Sequence, residues 1–253
     1  MRKKILLSLM FCNLLYGVEI TNISQAINIS GKQRMYSQRI LKDYAMVGMK
    51  NTFENPDEDL KKTIADFDDH LESLIKFNKD KQTAKELEAL KAKWSEVKKS
   101  LSIKPNKKDV DKIEIMLDEL LKQADKVTQS FTKQTGKKSD EIINISGRQR
   151  MLSQRMAGLY MLRVWGVDDP QFKEKLDESM KLFSDSLTTL EKYEGNTPEI
   201  TKLLIKVRRS FMFFEMMNKS QKRFIPTLIY KKSNDILKDM NTVTLKYTEL
   251  TTK

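Results

Sequence analysis

Glycine and proline are scarce, at 8 and 5 of 253 residues. An average soluble chain carries roughly 12% of the two together, so the shortage argues against turn-rich sandwiches and barrels and leaves mostly long helices. Cysteine occurs once, at Cys12, and histidine once, at His70. One cysteine closes no internal disulfide and builds no Cys-based zinc site; one histidine removes paired-His metal centres and most triad chemistry. No phosphate loop, nucleophile elbow or paired-carboxylate pattern stands out either, so the expectation is a non-enzyme without a cofactor or metal. What the chain does have is charge, 47 Lys+Arg against 35 Asp+Glu for a net +12, and with 39% apolar residues enough to bury one or two cores.

Residues 1–17 read as a signal peptide. Arg2, Lys3 and Lys4 precede an apolar stretch, Ile5 to Tyr16, that is too short to span a bilayer comfortably. Cleavage is expected near Gly17, taking Cys12 with it; an uncleaved N-terminal anchor is the alternative. No later segment is long and apolar enough to cross a membrane. Loss of the three basic residues takes the charge from +12 to +9, so the exported protein remains basic and favours anionic ligands or surfaces. Export makes nucleic acid an unsuitable partner.

The chain is one unit written twice. Ile27 to Arg39, INISGKQRMYSQR, returns as Ile143 to Arg155, INISGRQRMLSQR, at an offset of 116 residues with eleven of thirteen positions identical. The same offset aligns Leu60, Phe67, Leu71 and Leu74 with Leu176, Phe183, Leu187 and Leu190, but there only apolar spacing survives. The framework diverged while one short stretch did not, and function is sought in that stretch.

Each copy reads as four helices, giving an all-α fold of two tandem antiparallel four-helix bundles, 18–136 and 140–253. In copy one the helices run from about Glu19 to Lys50, from Asn55-Pro56, from about Thr83 to Leu101 and from about Lys108 to Gln134. Asn55-Pro56, Asp169-Pro170 and Thr197-Pro198 each set a capping residue before a proline at a helix start. The link at Gly136 is short, and an even number of helices returns each bundle to its starting end. The bundles are therefore expected side by side, as a pseudo-dimer with their first helices parallel. The rival is a continuous helix through Gly136 that stacks them end to end, since glycine costs a helix only about 1 kcal/mol.

Ile27, Gly31, Arg34, Gln38 and Leu41 follow the 4-3-4-3 spacing of a helix–helix seam, and Ile143, Gly147, Arg150, Gln154 and Ala157 repeat it. A second stripe through Ile29, Tyr36 and Ile40 serves the helix's own bundle, so the arginine is expected to point away from its own core. Gly31 and Gly147 allow close backbone approach, leaving Arg34 and Arg150 facing each other one turn on. Two facing guanidiniums repel unless an anion lies between them, and their planar forks suit nitrate, nitrite or a carboxylate. The bland alternative pairs each arginine with Asp or Glu on a neighbouring helix.

The stretch Asn28 to Arg39, and its copy Asn144 to Arg155, resembles the P-box of the periplasmic sensing domain shared by PilJ-type chemotaxis transducers and NarX-type nitrate sensor kinases. The Gly-x-x-Arg-Met core is matched twice. The resemblance implies a four-helix bundle and an anion held between two first helices by Arg34 and Arg150, beside Gly31 and Gly147. Arg39 and Arg155, with Gln38 and Gln154, then fall in supporting, structural or signalling positions. The family assembles its site from two subunits, whereas this chain carries both copies and shows no kinase domain or methyl-accepting coiled coil. Transmission is therefore expected to need a partner, a membrane-bound histidine kinase or chemotaxis transducer; a homodimer of such chains stays open.

Other features have ordinary readings. His70 is expected at the surface beside Asp68 and Asp69, and Trp94 and Trp165 in the core or an interface. Met212, Phe213 and Met216 exceed what one buried helix face needs, and Lys219 to Arg223 is a basic turn. Three functions remain: a periplasmic sensor of nitrate or a similar small anion, a ligand-free helical adaptor, and a periplasmic anion carrier.

Overall fold

The computed structural model describes residues 18–167, 169–219 and 225–251. The leader expected at 1–17 and residues 220–223 of the basic turn lie outside the described residues. Among those described, the chain forms eight α-helices: α1 (Ile23–Gly48), α2 (Pro56–Phe77), α3 (Lys81–Leu101), α4 (Val110–Lys133), α5 (Lys138–Val164), α6 (Pro170–Glu191), α7 (Pro198–Lys219) and α8 (Pro226–Leu250). The all-α expectation holds.

Local chemistry sets most of the helix starts. Asn22 accepts from the Gln25 N–H at 2.9 Å, Asp80 from the Thr83 N–H at 2.7 Å and Asp169 from the Gln171 N–H at 2.8 Å, each satisfying an amide the helix itself leaves open. Pro56, Pro170 and Pro226 occupy first-turn positions, where a missing N–H costs nothing. Asn55 departs from expectation. It sits in the left-handed region at φ 54° and makes no side-chain cap. The acidic first turn, Asp57, Glu58 and Asp59, instead lies at the positive end of the α2 dipole.

The helices pack as two helical bundles, α1 to α4 and α5 to α8. In each, the first helix lies against the second and fourth, and the third completes the group. Phe67 stacks on Trp94 with ring centroids 4.0 Å apart, and Phe183 stacks on Phe211 at 4.6 Å, so the two cores keep one aromatic arrangement despite their sequence drift. The continuous-helix alternative fails at Gly136: α4 ends at Lys133, Gly136 takes φ 61°, and α5 starts afresh at Lys138. The most extensive helix–helix contact in the chain joins α1 to α5.

That contact buries α1 and α5 on nearly every side. Ser30, Gln33, Arg34, Ser37 and Gln38 are fully buried together with the apolar positions, as are Ser146, Gln149, Ser153 and Gln154. A helix covered all round needs every polar group to find a partner. Gln33 donates to the Phe67 carbonyl at 3.0 Å and Gln149 to the Phe183 carbonyl at 3.2 Å, which ties each first helix to its own second helix.

Three smaller expectations meet the structure differently. His70 is buried, 6% exposed, and its Nδ1 lies 3.1 Å from the Tyr36 hydroxyl, because position 70 falls on the core side of α2 beside Leu71. Trp94 is core and donates to Asp68 at 2.7 Å, while Trp165 packs over Gly48. Met212 and Met216 are exposed, at 57% and 53%, whereas Phe213 is half-buried under the Lys232 ammonium.

Candidate functional site at the seam of α1 and α5

The two copies of the repeated stretch lie alongside each other in parallel and in register. Ser24 donates to Asp140 at 2.6 Å near the start of the seam, Gly31 meets Gly147 in the middle, and Gly158 packs on Leu41 near its far end. A Cβ built on either glycine would come within 3.9 Å of the other's Cα, so the backbones cross in van der Waals reach and the space a side chain would take is left to the arginines.

Into this crossing come both guanidiniums. A Cβ on Gly31 would sit 3.1 Å from Arg150 Nη2 and 3.4 Å from Arg34 Nη2; on Gly147 the distances are 3.2 and 3.3 Å. The structure thus brings together Arg34, Arg150, Gly31 and Gly147, as the stripe suggested. Each arginine reaches across to the other half: Arg150 Nη2 donates to the Asn28 carbonyl at 3.0 Å, and Arg34 Nη2 to the Asn144 carbonyl at 3.2 Å. Side chains in a helix tilt toward its N-terminus and cover the preceding turn, so a glycine three residues on leaves each of these carbonyls uncovered.

The remaining donors divide unequally. Arg34 Nη1 forms an ion pair with Asp125 of α4 at 2.6 Å, inside its own half. This corrects the expectation that the arginine turns wholly away from its own bundle; for Arg34 the bland alternative of a carboxylate partner is realised. Among the described residues Arg150 has no carboxylate partner. Its Nη1 donates to two neutral amide oxygens, Asn28 Oδ1 at 2.9 Å and Asn241 Oδ1 at 3.2 Å. The Nε donors of both arginines are buried without an acceptor, and so is the Asn144 Oδ1 acceptor. Burial, reinforced by the Arg34 charge, pushes the Arg150 guanidinium down to about 9, so it stays charged at neutral pH. Burial also lowers Arg34, against the opposing pull of Asp125.

Gln38 and Gln154 do not reach the arginine pair. Gln154 donates to the Ser233 carbonyl at 3.0 Å, and Gln38 accepts from Arg155 Nη1 at 3.0 Å. Arg39 and Arg155 belong to two charge clusters that bridge the halves below the crossing. Arg155 pairs with Asp118 of α4, and Lys175 joins Glu114 at 2.6 Å and Asp118 at 3.3 Å. Arg39 pairs with Asp59 at 2.6 Å, and the Tyr230 hydroxyl of α8 donates to Asp43 at 2.8 Å with Asp59 3.2 Å away. Lys42 completes this second cluster, fully buried, donating to Asn234 at 2.6 Å with its ammonium 4.0 Å from the Tyr230 ring centroid. Burial lowers Lys42 to about 8 against the pull of Asp43. Each cluster holds two cations and two carboxylates, which suits a structural clamp and leaves no charge for a ligand.

Sequence reasoning missed Asp125, Asn241 and the two carbonyls. The repeat offset carries Asp125 onto Asn241, Glu114 onto Tyr230 and Asp118 onto Asn234, so fourth-helix positions that differ in charge between the copies were visible before any folding was known. Among the described residues no cluster of His, Cys, Asp and Glu could hold a metal ion, and no helix is long and apolar enough to cross a membrane.

Comparison with the curated proteins and with the solved structures finds no match. A family model does match, twice: that described as the type IV pili methyl-accepting chemotaxis transducer N-terminal domain, PilJ, over residues 19–134 and again over 131–211. With those two matches covering most of the sequence in tandem, the chain belongs to the PilJ family of sensing domains.

Proposed function

We propose that this chain is an extracytoplasmic sensor that binds nitrate, or a similar small planar anion such as nitrite, between its two P-box helices and reports occupancy to a membrane-bound histidine kinase or chemotaxis transducer. As a PilJ-family member it is a non-enzymatic signalling domain. In this reading 18–136 and 140–253 are two four-helix bundles side by side, a pseudo-dimer within one chain.

One observation carries the proposal: two buried guanidiniums meet at a glycine–glycine crossing, and each keeps an Nε donor with no acceptor. Desolvating a guanidinium costs several kcal/mol, and a second like charge beside it adds repulsion. An anion at the crossing relieves both terms. It takes the free Nε donors and competes for the Nη2 donors that rest on the Asn28 and Asn144 carbonyls. With charge-assisted bonds worth roughly 1.5–3 kcal/mol each, two to four of them support micromolar affinity after ordering costs. Releasing the carbonyls loosens the register of α1 against α5, and the clamps around Arg39 and Arg155 pass that shift to α8 and α4 for a partner to read.

The ligand-free adaptor reading draws on the Arg34–Asp125 pair, which already neutralises one guanidinium. Calorimetric titration with nitrate, nitrite, sulfate and chloride separates the two readings. A sensor gives saturable heat with nitrate or nitrite that disappears in Arg150→Ala and weakens in Arg34→Ala. No heat and no change in melting temperature with any anion selects the adaptor.

A further inference from the structure

We propose that the two halves of this site are unequal in charge: Asp125 neutralises Arg34, Arg150 remains uncompensated, and the seam therefore accepts one monoanion per chain and rejects dianions such as sulfate. The inference rests on the anion-binding reading above and adds the rule that selects the ligand.

The inequality is built from equivalent positions. Asp125 on α4 and Asn241 on α8 stand at the same place in the two copies, each against the Nη1 of its own half's arginine, at 2.6 and 3.2 Å. Aspartate and asparagine have nearly the same shape, so packing does not distinguish the halves; charge does. The consequence is visible one helix away. Arg34, drawn to its carboxylate, leaves the Asn144 side-chain oxygen buried without a donor, whereas Arg150 spends the same nitrogen on the Asn28 side chain as well as on Asn241. Arg150 thus lies fully buried among neutral oxygens with its Nε–H idle.

The surrounding charges do not cancel the excess. Lys32, half-buried on α1, has its ammonium pushed down to about 8 by burial first and by the nearby Arg150 charge second. Asp66 faces Lys32 and opposes the shift, and Arg148 adds positive potential beside Arg34. Asp140 is a buried carboxylate at the start of the seam, but it stands seven residues before Gly147, roughly 10 Å up the helix, where it accepts from Ser24, and Asp43 at the far end is held in the Arg39 cluster. A monoanion at the crossing brings Arg34, Arg150 and Asp125 to neutrality. A dianion leaves one buried negative charge beyond that balance, with only Arg148 and half-buried Lys32, already faced by Asp66, in its neighbourhood, and buried sites penalise an unmatched charge heavily.

The test compares wild type, Asn241→Asp and Asp125→Asn by calorimetric titration with nitrate and with sulfate, and by thermal unfolding in buffer free of both. Wild type is expected to bind nitrate at least tenfold more tightly than sulfate. Asn241→Asp should lose nitrate affinity tenfold or more while its anion-free melting temperature rises, by about 2–4 °C for each kcal/mol gained. Asp125→Asn should gain sulfate affinity and melt lower without anion. Nitrate affinities equal within twofold in all three proteins overturn the unequal-charge proposal and leave the anion-binding reading intact. An Asn241→Asp protein that melts below wild type without anion overturns it as well. No heat with either anion in any of the three overturns the anion-binding reading itself, and the monoanion rule with it.

Discussion

Asn28 and Asn144 hold equivalent places in the two copies, and each gives its backbone carbonyl to the arginine of the opposite half, Asn28 to Arg150 at 3.0 Å and Asn144 to Arg34 at 3.2 Å. The exchange couples chemistry to register. One residue of axial slip, about 1.5 Å, would break both bonds at once. Whatever draws the guanidiniums off those carbonyls therefore acts on the placement of α1 against α5, and the clamps below the crossing tie that placement to α4 and α8.

Gly31→Ala separates the site from the fold. The added Cβ would meet Arg150 Nη2 at 3.1 Å and Arg34 Nη2 at 3.4 Å, both flexible side-chain ends, while the nearest backbone atom is 3.9 Å away. The helices keep their crossing and the guanidiniums yield. Alanine gains about 1 kcal/mol of helix propensity against the weakened bonds, so urea unfolding should place the variant within about 1 kcal/mol of wild type. Nitrate affinity should fall tenfold or more by calorimetry. An unchanged affinity would mean that the arginines do not bind the anion from this crossing.

Arg155→Ala tests the clamp. Its guanidinium bridges Asp118 of α4 and Gln38 of α1, and removing it leaves a largely buried carboxylate to Lys175 alone. Breaking a buried pair typically costs 3–5 kcal/mol, and the surviving lysine reduces that to about 2 kcal/mol. Arg155→Lys should recover only part of the loss, because an ammonium cannot span both partners as the planar fork does. Chemical denaturation of both variants measures this; full recovery by lysine would leave a simple charge requirement.

Much of the fold was legible in the sequence. Proline positions and capping side chains mark α6 and the start of α2, and the spacing of Leu60, Phe67, Leu71 and Leu74 names the buried face of α2. Asn55 misled because capping propensity is local, while its backbone shares the left-handed conformation of Lys50 and Glu54 in the connection from α1. His70 misled for a related reason: neighbouring Asp68 and Asp69 suggest a wet surface, but the helix turns position 70 inward beside Leu71. In the site, stripe spacing was enough to bring Arg34 to Arg150. The carboxylate on α4 was hidden because its approach depends on how α1 and α4 pack, which no periodicity in α1 encodes.

His70 should make stability fall with acid. Burial, with the Lys32 charge next, pushes the folded imidazole down to about 4, against roughly 6.5 in the unfolded chain. The depressed folded value means that the unfolded state binds the extra proton first. Stability is complete above pH 6.5 and is lost as pH falls from 6.5 toward 4. Between pH 6.5 and 5, before most carboxylates titrate, the loss should approach about 2 kcal/mol. His70→Asn should flatten that segment of the stability–pH curve measured by urea unfolding; an identical slope in both proteins would assign the loss elsewhere.

Gly48 and Trp165 join the halves where α1 and α5 end, and they make the opposite case from Gly31. A Cβ at Gly48 would fall 2.1 Å from Trp165 Cη2 and 2.3 Å from Cζ2, inside a rigid indole that has no flexible end to swing aside. Gly48→Ala should therefore destabilise by about 1–3 kcal/mol, the usual range for overpacking, even though alanine is the better helix former. In a Trp165→Ala background the three clashing indole atoms are gone, and the same substitution should become neutral or stabilising by up to about 1 kcal/mol. The coupling between the two sites, read from a double-mutant cycle of unfolding free energies, should thus exceed 1 kcal/mol. Additive effects would mean that α1 and α5 can part at this end without strain, and that the seam is fastened elsewhere along its length.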